Sequence, residues 1–188
     1  IMVITAEYPR PSTETLPRRI LAQTLMIASR LSFVHTIGSR SRIVFSQLLD
    51  AGVPRAKLRV LYPYFGYYRH LEKRAEMRPP KSHFLVLFVG RLVAEKEPIF
   101  FVDLAHQLLS HIPSSKMHFS LVGDGPLRKA VVDHIAELGL KEHVGVRGYL
   151  PASEVFSSLL SADLLVIPSR YEALGKVAVE ALLAYTPV

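Results

Sequence analysis

Regular alternation between apolar and amphipathic segments in the second half of the chain constrains its fold more than any other feature. Four apolar segments are typical of buried strands, namely HFLVLFVG, KMHFSLVG, HVGVRG and ADLLVIP. Each precedes a segment with helical periodicity, and the predicted helices cover residues 98–110, 126–138, 153–160 and 175–184. Strands that alternate with helices of this length form βαβ units. The sequence therefore predicts an α/β protein in which helices flank a parallel sheet.

Residues 1–62 carry the same pattern less completely. Predicted strands fall on the apolar segments IMVIT, SFVHTIG and KLRVLY. One amphipathic helix is predicted from near Thr15 to Leu31. A second is predicted from Ser39, as its N-cap, to Leu49, and Gly52 follows its end. This part of the chain is therefore expected to form a second, smaller α/β unit.

Residues 63–82 interrupt the pattern with proline, aromatic and charged residues, which is typical of a linker. We therefore predict that residues 1–62 end an incomplete N-terminal domain, that residues 63–82 are an interdomain linker, and that residues 83–188 form a C-terminal domain. The chain starts inside one predicted strand and stops at residues 185–188, where another begins. This pattern predicts truncation at both ends, with the C-terminal domain lacking its last elements.

Composition excludes several classes of protein. The chain has no cysteine, which excludes disulfides and thiolate metal sites. No apolar run reaches the roughly 18 residues that a membrane-spanning helix requires. The first residues lack the basic region and cleavage site of a signal peptide. We therefore expect a cytoplasmic location.

The net charge of +7 is concentrated at the start of the chain. Residues 1–80 hold 13 Lys and Arg against 5 Asp and Glu, whereas residues 81–188 hold 10 against 11. The first predicted helix combines basic with apolar side chains: Arg18, Arg19, Arg30, Ile20, Ile27 and Leu31. Such a segment indicates an anionic partner, either membrane lipid or nucleic acid. The alternative is a basic face that water solvates.

Candidate ligand-binding residues follow the predicted strands of the second half. Ligands of open parallel sheets bind outside the carboxyl ends of the strands. Those positions hold Gly90, Gly123, Gly148 with Tyr149, and the loop at residues 168–172. Glycine there allows a ligand or a turn to approach the backbone closely. For Gly123, a tight turn into a helix is a sufficient structural explanation.

Two cations share the loop after the first of these strands. Arg91 follows Gly90 directly, and Lys96 lies five residues further along. Paired cations can neutralise a diphosphate, and arginine can hold phosphate oxygens in a bidentate manner. The alternative is that both are solvated surface residues beside Glu95 and Glu97.

Two glutamates flank the start of the last predicted helix. Glu172 lies in the preceding loop, and Glu180 lies one to two turns into the helix. The helix start at Gly175 and Lys176 offers backbone N–H groups and a partial positive charge for a phosphate. The two carboxylates could accept hydrogen bonds from sugar hydroxyls. On spacing alone, a loop charge and a solvated helical glutamate are the favoured explanation of the pair.

Taken together, the successive segments resemble one family. LFVGRLVAEKE, FSLVGDGPLRKAV, VGVRGYLP and ADLLVIPSRYEALGKVAVEALLAYTPV are similar, in order and spacing, to the motifs of the group 1 (family 4) retaining glycosyltransferases. The upstream stretch VHTIGSRSRIVFSQLLDAGVPRAKLRVLYP also resembles that family. The resemblance implies the GT-B fold, in which two Rossmann-like domains face each other. The N-terminal domain would bind the acceptor and the C-terminal domain the nucleotide sugar.

The resemblance also implies roles for individual residues. Arg91 and Lys96 would hold the donor diphosphate, Glu172 the transferred sugar and Glu180 the ribose hydroxyls. Three further groups complete the expected donor site: the backbone at Leu174, Gly175 and Lys176 for the phosphates and sugar, the region of Gly148 and Tyr149 for the base, and the strand-end glycines Gly90 and Gly123. No metal and no cofactor are expected. Glu172, Arg91 and Lys96 are the expected catalytic set.

The predicted activity is transfer of a hexosyl group from a UDP- or GDP-sugar to an acceptor, with retention of configuration. The expected acceptor is a lipid-linked sugar or glycan, and the basic segment is expected to place the protein peripherally on the cytoplasmic membrane face. We expect the 188-residue chain alone to be inactive. The alternatives are a GT-B-fold sugar-nucleotide epimerase and a non-catalytic nucleotide-sugar-binding relative. A nucleic-acid-binding module is disfavoured.

Overall fold

The chain folds as two compact α/β units. The computed structural model describes residues 2–6, 24–32, 34–39, 42–61, 82–112, 116–172 and 175–188. One unit contains residues 1–64 and 171–174, and the other contains residues 65–170 and 175–188. Nearly all of the predicted linker lies outside the described residues, so the domain boundaries stay predictions.

The first unit contains a three-stranded parallel sheet in the order β1-β2-β3. Its strands are β1 (Met2–Ala6), β2 (Val34–Ser39) and β3 (Leu58–Val60), with helix α1 at residues 24–29 and helix α2 at Arg42–Asp50. The core is aliphatic, with Ile37 and Leu48 fully buried between sheet and helix. All three predicted strands are therefore confirmed.

Two details of this unit differ from the sequence-based expectation. Ser39 is not a helix cap: it ends β2, its side-chain hydroxyl donates to the carbonyl oxygen of Arg59, and α2 begins at Arg42. Pairing with β3 keeps the backbone extended through Ser39, and this overrides the local capping preference. Gly52 does follow α2 in the left-handed region, with φ of 88°.

The predicted apolar face of the first helix is wrong at both of its described members, and one of them, Leu31, lies beyond the end of α1. Leu25 is buried, whereas Ile27 and Leu31 are 60% and 43% exposed. Ile20, Arg18 and Arg19 lie outside the described residues. Within the described ranges, no helix has both the length and the apolar character that crossing a membrane requires.

The second unit contains a four-stranded parallel sheet in the order β6-β5-β4-β7. Its strands are β4 (Phe84–Val89), β5 (Met117–Val122), β6 (Val144–Gly148) and β7 (Leu164–Leu165). Its helices are α3 (Pro98–His111), α4 (Arg128–Glu137), α5 (Ala152–Ser161) and α6 (Lys176–Leu183). The predicted alternation of strands and helices is confirmed.

Helices cover both faces of this sheet because successive strand residues point to opposite sides. Phe88 and Phe119 pack on one side against α3 and α4. Leu87 and Leu165 pack on the other side against α5 and α6. Burial on both faces explains the nearly continuous apolar runs of β4 and β5.

Three boundaries of the second unit were misplaced. Pro126 is not the first helical residue of α4, which starts at Arg128, because the Leu127 N–H donates to the Leu92 carbonyl and holds a turn. β7 covers only two residues of its predicted segment, although the Val166 N–H still donates to the carbonyl of Leu87. Residues 185–188 are not a strand, yet the Leu165 N–H donates to the Pro187 carbonyl at 2.8 Å.

Candidate functional site

Glycines line the carboxyl edge of the second sheet. The neighbouring strands β4, β5 and β6 end at or directly before Gly90, Gly123 and Gly148. The Gly123 N–H donates to the Gly148 carbonyl at 2.7 Å. The three glycines therefore stand side by side on one edge, where a parallel sheet binds its ligands.

The reason for glycine differs among the three positions. At Gly123, with φ of 142°, a methyl group would collide with the backbone carbonyl of Gly90. At Gly148, with φ of 72°, a methyl group would lie 2.9 Å from Nη1 of Arg128. At Gly90 the nearest atom would be Cζ of Phe88 at 3.5 Å, an ordinary contact. Backbone packing thus explains glycine at 123, and the positive φ explains it at 148, because the end of the Arg128 side chain could move aside; neither reason applies at 90.

Arg91 and Lys96 share the connection from β4 to α3, as the sequence predicted. The Leu92 N–H in this connection donates to the Asp124 carbonyl at 3.0 Å, which ties it to the loop after β5. Cδ of Lys96 lies 3.9 Å from the point that a Cβ of Gly90 would occupy. The lysine side chain therefore extends beside Gly90 along the open carboxyl edge of the second sheet, which we call the crest.

Helix α6 begins at the same edge of the sheet. β7 is the parallel neighbour of β4, and the chain after β7 leads to Gly175, which precedes α6 with φ of 63°. Nζ of Lys176 lies 3.0 Å from Oε1 of Glu180, whose side chain is only 8% exposed. The alternative in which Glu180 belongs to a solvated helical face is therefore wrong. A buried carboxylate and a helix N-terminus lie within one turn of each other.

Two predicted residues are not placed in this arrangement. Glu172 falls in the first unit, whereas Arg91, Lys96, Gly175 and Glu180 fall in the second. Leu174 lies outside the described residues. Their roles stay predictions.

The crest also carries a cation that the sequence reasoning missed. Arg128, in the first turn of α4, places its guanidinium against Gly148 and 3.2 Å from the carboxylate of Asp124. Tyr149, which was predicted to line a base pocket, directly follows Gly148 and is 80% exposed. The available signal was the four-residue spacing of Asp124 and Arg128 across a predicted tight turn, because such a turn brings the two side chains together.

A second missed contact joins the loops after β4 and β7. Nε of Arg170 forms an ion pair with Oε1 of Glu97, and the Arg170 N–H donates to the Glu95 carbonyl at 3.0 Å. Glu97 adopts the left-handed conformation, with φ of 51° and ψ of 49°. No local sequence signal marks a glutamate for that conformation.

Chemically, the edge is suited to an anionic ligand. It combines Arg91, Lys96 and Arg128 with the N-terminal turn of α6, where the helix dipole attracts negative charge. Among the residues that the structure describes, no group of His, Asp and Glu side chains is arranged to hold a metal ion.

Comparison with known proteins identifies the family. A family described as "Glycosyl transferases group 1" matches residues 70–188. The chain therefore belongs to the group 1 glycosyl transferases. The predicted family is confirmed.

Two relatives and one solved structure illustrate the match. A 2-deoxystreptamine N-acetyl-D-glucosaminyltransferase from Streptomyces fradiae is 31% identical over 187 residues, which cover 96% of this chain and 44% of the relative. A 2-deoxystreptamine glucosyltransferase from Streptomyces kanamyceticus is 36% identical over 118 residues, which cover 63% of this chain and 30% of the relative. HepE from Anabaena, crystallised with UDP, superimposes with a TM-score of 0.73 at 20% identity, over 99% of this chain and 52% of that one.

The structural likeness shows that the chain has the Rossmann-like α/β architecture of the GT-B glycosyltransferases. The chain spans about half, or less, of the length of the relatives that it matches.

Proposed function

We propose that the protein transfers a hexosyl group from a nucleotide-diphosphate sugar to an acceptor, with retention of configuration. The observation that carries this proposal is that Arg91 and Lys96 share the connection after β4, while the chain after its parallel neighbour β7 leads to the start of α6. The buried Glu180 lies one turn into that helix. Family membership makes sugar transfer the chemistry that such a site would serve.

In this proposal, protein groups neutralise the donor diphosphate without a metal ion. Arg91 and Lys96 contribute two positive charges from one connection, and the first turn of α6 contributes backbone N–H groups. Developing charge on a departing nucleoside diphosphate is stabilised most when the donors are already in place. The open crest at Gly90 leaves room for the phosphates to approach the backbone.

The remaining groups would recognise the sugar, ribose and base. Glu180 would accept hydrogen bonds from the ribose hydroxyls, and Glu172 would contact the transferred sugar near the backbone of Leu174. Gly148, Tyr149 and Arg128 would line the base pocket. UDP-sugars are the first donors to test, since HepE was crystallised with UDP, and GDP-sugars are the second.

The acceptor that we propose is a lipid-linked sugar or a glycan. Exposed Ile27 and Leu31 beside Arg30 on one short segment favour a peripheral position on an anionic membrane, where such acceptors are found. The names of the two relatives add 2-deoxystreptamine as a second acceptor to assay.

Calorimetric titration of the intact protein with a panel of UDP- and GDP-sugars tests the donor site. We expect one donor class to bind, and we expect Arg91→Ala and Lys96→Ala each to weaken that binding. Lys129→Ala is the matched control, because Lys129 is 87% exposed and pairs with Asp133 on the surface of α4. Equal weakening by the control, or no binding of any nucleotide sugar, would contradict the proposal.

Product analysis distinguishes sugar transfer from epimerisation and from binding without catalysis. Incubation of the bound donor with acceptor should give a glycosylated acceptor and free nucleoside diphosphate. An epimerase would instead release a nucleotide sugar of altered configuration, and a non-catalytic relative would leave the donor unchanged.

A further inference from the structure

We propose that Glu97 and Arg170 form a latch that positions residues 166–172, which follow β7, for donor binding. The latch consists of the Glu97–Arg170 ion pair and the backbone hydrogen bond from Arg170 to Glu95. Both are positioning residues in this view, because they act through the groups that follow them in the chain. The inference rests on the proposed donor site.

The backbone of Glu97 gives the first argument. Among the described residues, Glu97 and Tyr185 alone adopt a positive φ without being glycine. The left-handed conformation is unfavourable for a residue with a Cβ, and glycine adopts it without that penalty. A glutamate at this position is therefore explained only if its side chain contributes something that glycine cannot.

The side chain of Glu97 supplies that contribution. It is only 22% exposed, whereas its partner Arg170 is 80% exposed. The carboxylate is thus the more buried member of the pair, at the start of α3, and it accepts the guanidinium from the loop after β7. The Arg170 N–H also donates to Glu95, so that both the side chain and the backbone of Arg170 are bound.

The position of the latch gives the second argument. Lys96, which we place at the diphosphate, is flanked by the two residues that bind Arg170. Arg170 in turn lies between β7 and Gly175, where α6 and its phosphate-facing turn begin. One short segment therefore carries a donor-binding cation and also fixes the loop that leads to the other half of the donor site.

A contribution to stability alone does not account for the pair. Ion pairs with an exposed partner stabilise a fold very little. A merely structural role would therefore predict that removing the pair changes neither the melting temperature nor the activity, or that any loss of activity parallels a loss of melting temperature. A positioning role predicts that activity falls while the melting temperature does not.

Glu97→Gly in the intact protein distinguishes these outcomes, because glycine removes the carboxylate and relaxes the left-handed backbone. We expect an unchanged or higher melting temperature. We also expect faster amide hydrogen exchange at residues 166–172 and about a tenfold loss in kcat/KM, seen in the KM for the donor and not for the acceptor. Arg170→Ala should behave similarly. The double variant should lose no more than either single variant, because both remove one interaction.

Two variants serve as controls. Glu97→Asn should restore part of the activity, because asparagine tolerates the left-handed conformation and keeps a hydrogen-bond acceptor. Asp133→Ala, which removes a surface ion pair on α4, should change neither exchange nor activity.

Several results would overturn the latch. These are unchanged exchange at residues 166–172 in Glu97→Gly, additive losses in the double variant, or a loss of activity that parallels a loss of melting temperature. A wild-type protein that binds no nucleotide sugar would instead refute the proposed function, and the exchange measurement would then still decide whether the latch fixes the loop.

Discussion

Individual residues at the carboxyl edge of the second sheet show which side chains serve packing and which leave room for a ligand. Gly123 lies against the carbonyl of Gly90, so that the fold itself requires it. Gly90 has an ordinary φ, and the space beside it would admit a methyl group. The fold therefore does not require glycine at 90, and the proposed approach of the donor phosphates to the crest would account for it.

The first prediction contrasts these two glycines. We expect Gly90→Ala to leave the melting temperature nearly unchanged but to weaken nucleotide-sugar binding, because the methyl group projects into the donor site. Gly123→Ala should lower the melting temperature strongly, since its methyl group collides with backbone. Thermal unfolding and donor titration measure the two effects. Unimpaired donor binding by Gly90→Ala would contradict our placement of the phosphates.

The second prediction concerns the two glutamates. Glu180→Ala should weaken donor binding, because ribose contacts are equal in the ground state and the transition state. Glu172→Ala should mainly lower kcat, because contacts to the departing sugar strengthen as charge develops. Each lost charged hydrogen bond should cost about 1.5–3 kcal/mol. Donor titration measures the affinity of each variant, and steady-state kinetics measure its kcat. Unchanged donor affinity and unchanged rate in both variants would contradict the proposed donor site.

At the scale of elements, the amino edge of the second sheet differs from the carboxyl edge. Histidines stand at or near the starts of β4, β5 and β6: His83, His118 and His143. The ring centroids of His83 and His118 lie 4.4 Å apart, and those of His118 and His143 lie 5.7 Å apart. Burial, and then repulsion by His83 and His143, lowers the pKa of His118 below its usual value.

The third prediction follows from the sign of that shift. The folded state binds a proton at His118 less readily than the unfolded chain does, so that stability is fully present above about pH 6.5 and is lost as the pH falls through the lowered pKa. We expect the melting temperature to fall between pH 7.5 and pH 5.5, and to fall less in His118→Gln. His106→Gln, at an exposed position of α3, is the control. An identical pH profile in His118→Gln would contradict the prediction.

For the whole molecule, each unit has its own parallel sheet and its own core. Two exposed apolar side chains of the first unit, Ile27 and Leu31, accompany the strong positive charge of residues 1–80. These features agree with the proposed attachment to an anionic membrane surface.

The fourth prediction is binding of the intact protein to anionic vesicles. Each Lys or Arg near such a surface contributes about 1 kcal/mol, so that several together suffice for reversible attachment. Co-sedimentation at low salt should be stronger with anionic than with neutral vesicles, and Ile27→Ser with Leu31→Ser should weaken it. Equal binding to both kinds of vesicle would show that the basic segment is simply a solvated face.

Much of the fold could be predicted because its signals are local. Two-sided burial makes β4 and β5 continuously apolar, and helical periodicity marks α3 to α6. Errors occurred where tertiary contacts override local preference, as at Ser39, which β3 keeps extended, and at Pro126, where Leu127 donates back to Leu92.

The sequence by itself determined the α/β alternation, the family, and the residues that follow each strand, Arg91 and Lys96 among them. Only the tertiary structure decided that Glu180 is buried, that Arg128 lies against Gly148, and that Glu97 pairs with Arg170. The physical reason is that periodicity and turn chemistry act between near neighbours in the chain. Burial and pairing arise between residues that the chain separates and that only the packed sheet brings together.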